Sequence, residues 1–164
     1  SEKGIQAIVF YLAIYLVMTL GVFATILMMR RRGVMVESVS DLAGLAKSQP
    51  MMALAMLLFM FSLAGIPPLA GFWGKLYIFI AAVEAQLFVP AVLGVLASVV
   101  ASYYYLRIVK VMYFDEATEA PLDRAPFGIH RAVALVAALL VTVFSLVPQP
   151  LSLIAAAAAK GLFP

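Results

Sequence analysis

Cysteine is absent from this chain, and the only histidine is His130. Without thiols the chain cannot form disulfides, bind zinc through thiolates or ligate an iron–sulfur cluster. A single histidine also argues against a transition-metal site. Gly-rich phosphate loops, dinucleotide fingerprints and Ser/His/Asp sets are missing as well. The sequence therefore offers no cofactor-binding and no metal-binding residues.

Charged residues are also scarce. They make up 12% of the 164 residues, against 66% hydrophobic residues, and the mean hydropathy is +1.11. Soluble domains are about half apolar and a quarter charged, so this composition indicates an integral membrane protein. Long charge-free runs recur and alternating strand patterns do not, which favours helices over a β-barrel. We predict an all-α membrane protein with a single membrane region over residues 1–164.

Four apolar stretches are predicted to span the membrane. They cover about residues 5–29, 51–86, 88–113 and 127–147, and an alanine-rich stretch at 150–163 is too short to span and predicts a surface helix. Between the first two spans, Ser40 and Asp41 could begin a short surface helix. The chain starts at Ser1 without a signal-peptide pattern, so we expect a fragment of a longer polypeptide or a processed chain.

The second span contains the strongest helix-breaking signals. Its 36 residues would form a helix about 54 Å long, whereas a membrane core is about 30 Å thick. Proline removes a backbone donor and clashes with the preceding turn. We therefore predict one helix broken in mid-membrane near residues 65–71, and such breaks are typical of ion and substrate sites in transporters. The residues that interrupt the apolar run are Gly65, Pro67, Pro68, Gly71 and Gly74.

The basic residues indicate how often residues 51–86 cross the membrane. A single crossing puts eight basic residues on one side and two on the other, whereas a hairpin gives five and five. The positive-inside rule favours the single crossing. It predicts four crossings, with loops 30–49 and 114–127 in the cytoplasm and both ends of the chain outside. Because the basic residues lie in short loops beside apolar spans, they indicate topology and not a nucleic-acid partner.

Lys75 is the one basic residue well inside a predicted span. Burying a lysine at a helix centre costs about 2.5–3.5 kcal/mol, so such a residue usually faces the bundle interior and has a function. Burial disfavours the charged form, which would let Lys75 gain and lose a proton as a nearby charge changes. The structural alternative is a lysine that reaches the interface or neutralises a carboxylate.

Glu84 lies about 13 Å further along the same helix than Lys75. It is therefore no direct partner of Lys75, but it could mark the mouth of an outward proton route.

The third span carries a face of small residues. Gly94, Ser98 and Ser102 fall four apart, with Ala97 and Ala101 beside them. Small residues at this spacing let two helices approach closely. We therefore predict that this face packs against another helix of the bundle.

The break and its flanking segments resemble a known family. The stretch Gly65–Phe79, GIPPLAGFWGKLYIF, resembles the second broken helix of the antiporter-like subunits of respiratory complex I. The segment Val95–Tyr113, the loop Asp41–Leu45 and the ending Pro148–Pro150 are similar to subunit N of the bacterial enzyme. The resemblance covers essentially the whole chain, and the motifs together are highly specific.

The resemblance implies a place within a longer subunit. The family subunit is about three times longer and has fourteen helices in two inverted repeats. This chain would be its C-terminal part, helices eleven to fourteen of an antiporter-like bundle, without the first repeat. It would belong to the membrane arm of NADH:quinone oxidoreductase in the bacterial inner membrane, with other membrane-arm subunits and the lipid bilayer as partners.

The resemblance also implies a function for Lys75, which matches the helix-twelve lysine of the family. Quinone reduction elsewhere would change the charge state along the membrane arm. Lys75 would then release its proton toward the outward half-channel and be reloaded from inside. NADH, flavin, iron–sulfur clusters and quinone are expected in other subunits, and no cofactor is expected in this chain.

Two alternative functions share these sequence features. A subunit of a related sodium/proton antiporter or membrane-bound hydrogenase has the same broken helix. The other alternative is a purely structural membrane scaffold, in which Lys75 only pairs with a neighbour. Replacing Lys75 would then impair assembly rather than coupling.

Overall fold

The computed structural model describes residues 2–117, 120–124 and 128–161, and these residues are almost entirely helical. Parts of the predicted loop 114–127, of the fourth span and of the surface helix lie outside the described residues. The elements, in chain order, are α1 (Glu2–Leu27), β1 (Arg30–Arg31), β2 (Val34–Met35), a 3₁₀ helix (Val39–Leu42), α2 (Leu45–Ser48), α3 (Pro50–Ala64), α4 (Ala70–Glu84), α5 (Phe88–Phe114), α6 (Ile129–Leu146) and α7 (Gln149–Gly161).

Three of the described helices, α1, α5 and α6, are long and apolar enough to cross a membrane. α3 is a shorter apolar helix of 15 residues, about 22 Å long. The predicted all-α membrane fold is confirmed, with one local exception. β1 and β2 pair antiparallel around a turn at Arg32 and Gly33, whose φ angles are 53° and 80°. These two-residue strands are too short to produce an alternating sequence pattern.

The short surface helix predicted from Ser40 and Asp41 is the 3₁₀ helix, and it begins one residue earlier, at Val39. The N–H of Ser38 donates to Asp41 Oδ2 at 3.2 Å, which fixes the start of the turn. Arg31 Nη1 pairs with Asp41 Oδ1 at 3.0 Å. Asp41 therefore ties this turn to the β-hairpin.

Contacts along α1 show how residues 50–84 cross the bundle. Near the C-terminal end of α1, Gly21 faces the ring of Phe59 in α3. Further toward the N-terminus of α1, Tyr11 lies against Gly74 in α4. α3 and α4 thus lie beside α1 one after the other and run antiparallel to it. Residues 50–84 make one broken passage and not a hairpin.

α5 runs back along both halves of this passage. Its N-terminal part meets α4 where Gly94 faces the ring of Phe79. Its middle meets the end of α3, where Ser102 Oγ lies 3.0 Å from Ala64 O. At Gly94 and Ser102 the small-residue face of α5 therefore packs against neighbouring helices, as its spacing predicts, whereas Ala97 beside it is exposed.

Two loops meet at the end of the bundle where α1 ends and α3 begins. The N–H of Asp123 donates to Arg30 O at 2.7 Å, and its carboxylate accepts the N–H groups of Arg32 and Gly33 at 3.1 and 2.8 Å. Arg31 Nε donates to Ala120 O at 2.8 Å. We call this region the basic end. It gathers Arg30, Arg31, Arg32, Lys47, Arg107, Lys110, Arg124 and Arg131.

α7 corresponds to the predicted surface helix at 150–163, but one of its faces is buried. Leu151, Ala155 and Ala159 recur every fourth residue along that face, and α7 packs on α1. Gln6 Nε2 of α1 donates to Ser152 O at 3.2 Å. Residues 162 and 163 of the predicted helix lie outside the described residues.

Candidate functional site

The break in the second span covers residues 65–69. α3 ends where the N–H groups of Gly65 and Ile66 both donate to Phe61 O, at 3.1 and 3.0 Å. Gly65 has φ +84°, the left-handed conformation that commonly terminates a helix. Pro67 and Pro68 follow inside the break, and α4 begins at Ala70.

The prolines leave two carbonyls at the end of α3 without helical donors. In an α-helix the carbonyl of residue i accepts the N–H of residue i+4. Leu63 and Ala64 would therefore need donors at positions 67 and 68. Both positions are proline, which has no N–H. An unsatisfied backbone group at membrane depth costs several kcal/mol, so another group has to supply these two bonds.

The ammonium group of Lys75 supplies both bonds. Lys75 Nζ donates to Leu63 O at 2.9 Å and to Ala64 O at 3.2 Å. The negative end of the α3 dipole favours a cation at this point. Lys75 is partly buried, and among the described residues no ion pair includes it. Within that part of the chain its charge is therefore held by backbone carbonyls and not by a carboxylate.

A hydroxyl from α5 shares one of these carbonyls. Ser102 Oγ lies 3.0 Å from Ala64 O and 2.7 Å from Ser98 O, one turn back in its own helix. A serine hydroxyl has one hydrogen to donate, so it can serve only one of the two acceptors at a time. Ala64 O thus has two competing donors, Lys75 and Ser102.

Gly71 and Gly74 were expected in the break, but the structure places them in the first turns of α4. A Cβ on Gly71 would lie 1.9 Å from Ser62 O, and the N–H of Gly71 donates to Ser62 Oγ at 2.9 Å. A Cβ on Gly74 would lie 3.1 Å from Tyr11 Cδ2. These two glycines therefore allow close helix packing and do not interrupt the helix.

Glu84 lies at the far end of α4, away from Lys75. It is 3.6 Å from Lys3 Nζ, and both side chains are exposed. Nine residues at about 100° each put the two side chains on opposite faces of α4. A cavity of about 330 Å³ between α1, α4 and α7 is lined by Glu84 and Tyr77, and Lys75 is not among its lining residues.

The sequence did not predict that the carbonyls of Leu63 and Ala64 form part of the site. It placed Ser102 on the small-residue face of the third span but predicted no role for it at the break. The spacing of Pro67 and Pro68 from residues 63 and 64 would have been sufficient to predict the two free acceptors. The role of Ser102 depends on which helix lies opposite Ala64, and sequence spacing does not give that. Within residues 2–117, 120–124 and 128–161, no cluster of three His, Cys, Asp or Glu side chains could hold a metal ion.

A protein-family model described as NADH:quinone oxidoreductase/Mrp antiporter, TM matches residues 1–101. This matched segment contains α1, both halves of the broken passage and the first part of α5.

Curated relatives cover the whole chain. NADH-quinone oxidoreductase subunit N of Paramagnetospirillum magneticum is 56% identical over 165 residues, which is 100% of this chain and 34% of the relative. The subunit of the same name from Rhodospirillum rubrum is 54% identical over 162 residues, 99% of this chain and 33% of the relative. The chain thus spans about a third of the length of these relatives.

Solved structures show the same helix arrangement. A chain of respiratory complex I from Thermus thermophilus, with bound aureothin, superposes with a TM-score of 0.78 at 33% identity, over 90% of this chain and 34% of that one. A chain of the Mrp complex from Dietzia sp. DQ12-45-1b gives 0.82 at 24% identity, over 99% and 38%, which at this identity shows the fold alone. Because the family model matches more than half of its residues, the chain belongs to the NADH:quinone oxidoreductase/Mrp antiporter transmembrane family.

Proposed function

We propose that this chain is part of a proton-translocating membrane-arm subunit of NADH:quinone oxidoreductase, equivalent to subunit N, and that Lys75 carries the proton. The observation behind this proposal is the ammonium of Lys75, which bridges the two free carbonyls at the break. The identity of 50–56% to relatives named subunit N supports the subunit assignment. The resemblance of residues 65–79 to the second broken helix supports a C-terminal position in the longer subunit.

The hydrogen bonds of Lys75 support this proposal, because they leave one N–H of the ammonium without an acceptor among the described residues. An ammonium has three N–H donors, and two of them point to Leu63 O and Ala64 O. The third can pass its proton to a water molecule, and the resulting amine keeps two hydrogens, which are weaker donors to the carbonyls than those of the ammonium. A change of charge elsewhere in the membrane arm would shift this equilibrium. Moving one charge across 100 mV requires about 2.3 kcal/mol, which that change has to supply.

The direction of transfer is proposed from the family resemblance. Lys75 would release its proton toward the outside and be reloaded from inside. Glu84 remains a proposed outer mouth only for a route through the cavity between α1, α4 and α7, because its side chain faces away from Lys75. NADH, flavin, iron–sulfur clusters and quinone would be bound by other subunits of the same enzyme.

A sodium/proton antiporter subunit is the alternative within the family. The family description includes Mrp antiporters, but the similarity to the Mrp complex is 24% identity. The relative named subunit N from Paramagnetospirillum magneticum has 56% identical residues over the whole chain, more than twice that percentage. This difference supports the respiratory enzyme over the antiporter.

The test of this proposal is replacement of Lys75 by alanine in the complete complex. Removing a positioned proton-transfer group typically slows a reaction by about 10²–10⁴-fold, so we expect transfer through this subunit to be lost. The measurement compares NADH-driven quinone reduction with proton uptake in inverted membrane vesicles, after the content of assembled complex has been checked. The matched control is Lys160→Ala, which removes an exposed lysine from the end of α7.

Reduced proton uptake at a normal content of complex would support the proposal. If quinone reduction fell in parallel, the two processes would be coupled through this site. Normal uptake and normal turnover would contradict the proposal and leave Lys75 with a structural function. Loss of assembly in Lys75→Ala alone would instead support the scaffold alternative.

We also propose that the chain lies in the bacterial inner membrane with the basic end in the cytoplasm and both chain ends in the periplasm. The positive-inside rule supports this orientation.

We expect Glu37→Cys, in the loop at the basic end, to react with a membrane-impermeant maleimide in inverted vesicles, where the cytoplasmic side faces outward. Ala85→Cys, just after α4, should react from the opposite side. Both positions are exposed. Each cysteine would be introduced into the full-length subunit after any other cysteines have been replaced.

The reversed labelling pattern would contradict this orientation. Labelling of both positions from one side would contradict the single broken passage, because residues 50–84 would then return to the side where they started. A fully permeant maleimide serves as the control that both cysteines are reactive.

A further inference from the structure

We propose that Ser102 is a positioning residue for Lys75, whose hydroxyl moves between Ser98 O and Ala64 O as Lys75 loses and regains its proton. This inference rests on the proposed function of Lys75 as the proton carrier. It adds a second residue, on a different helix, to the site at the break.

Ala64 O has few possible hydrogen-bond donors. Its helical donor is missing because position 68 is proline. Among the described residues, the donors within hydrogen-bond distance of Ala64 O are Lys75 Nζ at 3.2 Å and Ser102 Oγ at 3.0 Å. If both moved away, a carbonyl would be left unsatisfied at membrane depth.

Lys75 and Ser102 compete for Ala64 O. Hydrogen bonds from a charged donor are about twice as strong as bonds between neutral groups. While Lys75 is charged, its ammonium is the better donor to Ala64 O, and the hydroxyl of Ser102 can turn to Ser98 O at 2.7 Å. Once Lys75 is neutral, the two donors become comparable. The hydroxyl can then serve Ala64 O and release the amine for reorientation.

The position of Ser102 in the bundle allows this exchange of donors. It lies on the small-residue face of α5, where that helix approaches the end of α3, and it is partly buried. A larger side chain at the neighbouring positions of this face would hold α5 further from Ala64. Ser98 lies one turn away on the same face, and its hydroxyl makes no hydrogen bond to any described residue. Ser98 is therefore a matched control for Ser102.

The surroundings of the break contain few groups that could titrate in place of Lys75. α3 has no ionisable side chain. On α1, the phenol of Tyr11 lies beside Gly74 and stacks on Tyr15. On α5, Tyr105 lies one turn beyond Ser102. Apart from Lys75, the ionisable side chains that these described helices bring near the break are therefore phenols.

The expected effect of Ser102→Ala follows from the loss of the substitute donor. The state with neutral Lys75 becomes less favourable, so release of the proton requires a higher pH. On the acidic side of the pH profile, proton uptake is limited by release from Lys75. We expect the pH of half-maximal uptake on that side to move upward by about one unit. Ser102→Thr keeps the hydroxyl and should restore the wild-type profile, and Ser98→Ala should not change it.

The experiment measures NADH-driven proton uptake against pH in inverted vesicles that contain the complete complex. Four variants are compared at equal content of complex: Ser102→Ala, Ser102→Thr, Ser98→Ala and Lys75→Ala. Normal uptake in Lys75→Ala would overturn the proposed function itself. Impaired uptake in Lys75→Ala, with an unchanged profile in Ser102→Ala, would overturn only the role of Ser102. A profile shifted equally by Ser98→Ala, or not restored by threonine, would also overturn it, because loss of packing would then be sufficient.

Discussion

Replacing Gly71 by alanine is expected to prevent stable assembly of the subunit. The added Cβ would lie 1.9 Å from Ser62 O and 2.7 Å from Ser62 C, and both are backbone atoms that no rotamer change can move. α3 and α4 would have to separate, which would also break the bond from Gly71 N–H to Ser62 Oγ. Overpacking costs about 1–3 kcal/mol, and a lost buried hydrogen bond adds about 1–3 kcal/mol.

The measurement is the amount of assembled complex in membranes, read from native gels with an antibody against a tag on the subunit. Gly74→Ala and Gly161→Ala make a graded series with Gly71→Ala. A Cβ on Gly74 would lie 3.1 Å from the ring of Tyr11, and a Cβ on Gly161 would meet nothing within 4 Å. We expect a small loss for Gly74→Ala and none for Gly161→Ala. Normal assembly of Gly71→Ala would show that the two halves of the passage are not packed as described.

Much of the fold could be predicted from the sequence because the membrane restricts it to few solutions. Only a helix satisfies its own backbone groups in lipid, so the long apolar runs give α1 and α5 directly. The excess length of residues 51–86, together with Pro67 and Pro68, gives the break. The eight-to-two distribution of basic residues gives the single passage, and the structure gathers the same eight at the basic end.

The details that could not be predicted depend on contacts between distant elements. A glycine in a sequence is compatible with either a helix break or a close helix contact. The prediction that Gly71 and Gly74 belong to the break is therefore wrong, because both lie in α4 at close helix contacts. Gly65 is different, because its φ of +84° ends α3. Ser102 reaches the site because α5 passes Ala64, and sequence spacing does not show which helix lies opposite Ala64. The opposite faces of Lys75 and Glu84, by contrast, follow from their nine-residue spacing alone.

Restoring the missing donors of α3 is expected to abolish proton transfer while Lys75 is still present. In the double variant Pro67→Ala and Pro68→Ala, positions 67 and 68 regain N–H groups. Gly65 can then leave its left-handed conformation, and the helix can extend with bonds from these groups to Leu63 O and Ala64 O. Each such bond contributes about 1 kcal/mol. Two of them would weaken the interaction between the carbonyls and the ammonium by about 2 kcal/mol, which corresponds to roughly 30-fold in its equilibrium constant. Lys75 would then keep its side chain but lose the site that positions its charge.

The comparison that tests this mechanism is between the double variant, the two single variants and Pro90→Ala. Pro90 lies in the first turn of α5, where a missing N–H has no helical partner to lose, so Pro90→Ala should behave as wild type. Each single variant restores one donor and should cause an intermediate loss of proton uptake at normal complex content. Wild-type uptake in the double variant would contradict the carbonyl site, because Lys75 would then transfer protons without the two free acceptors. A loss equal to that of Lys75→Ala would place the proline pair and the lysine in one functional unit.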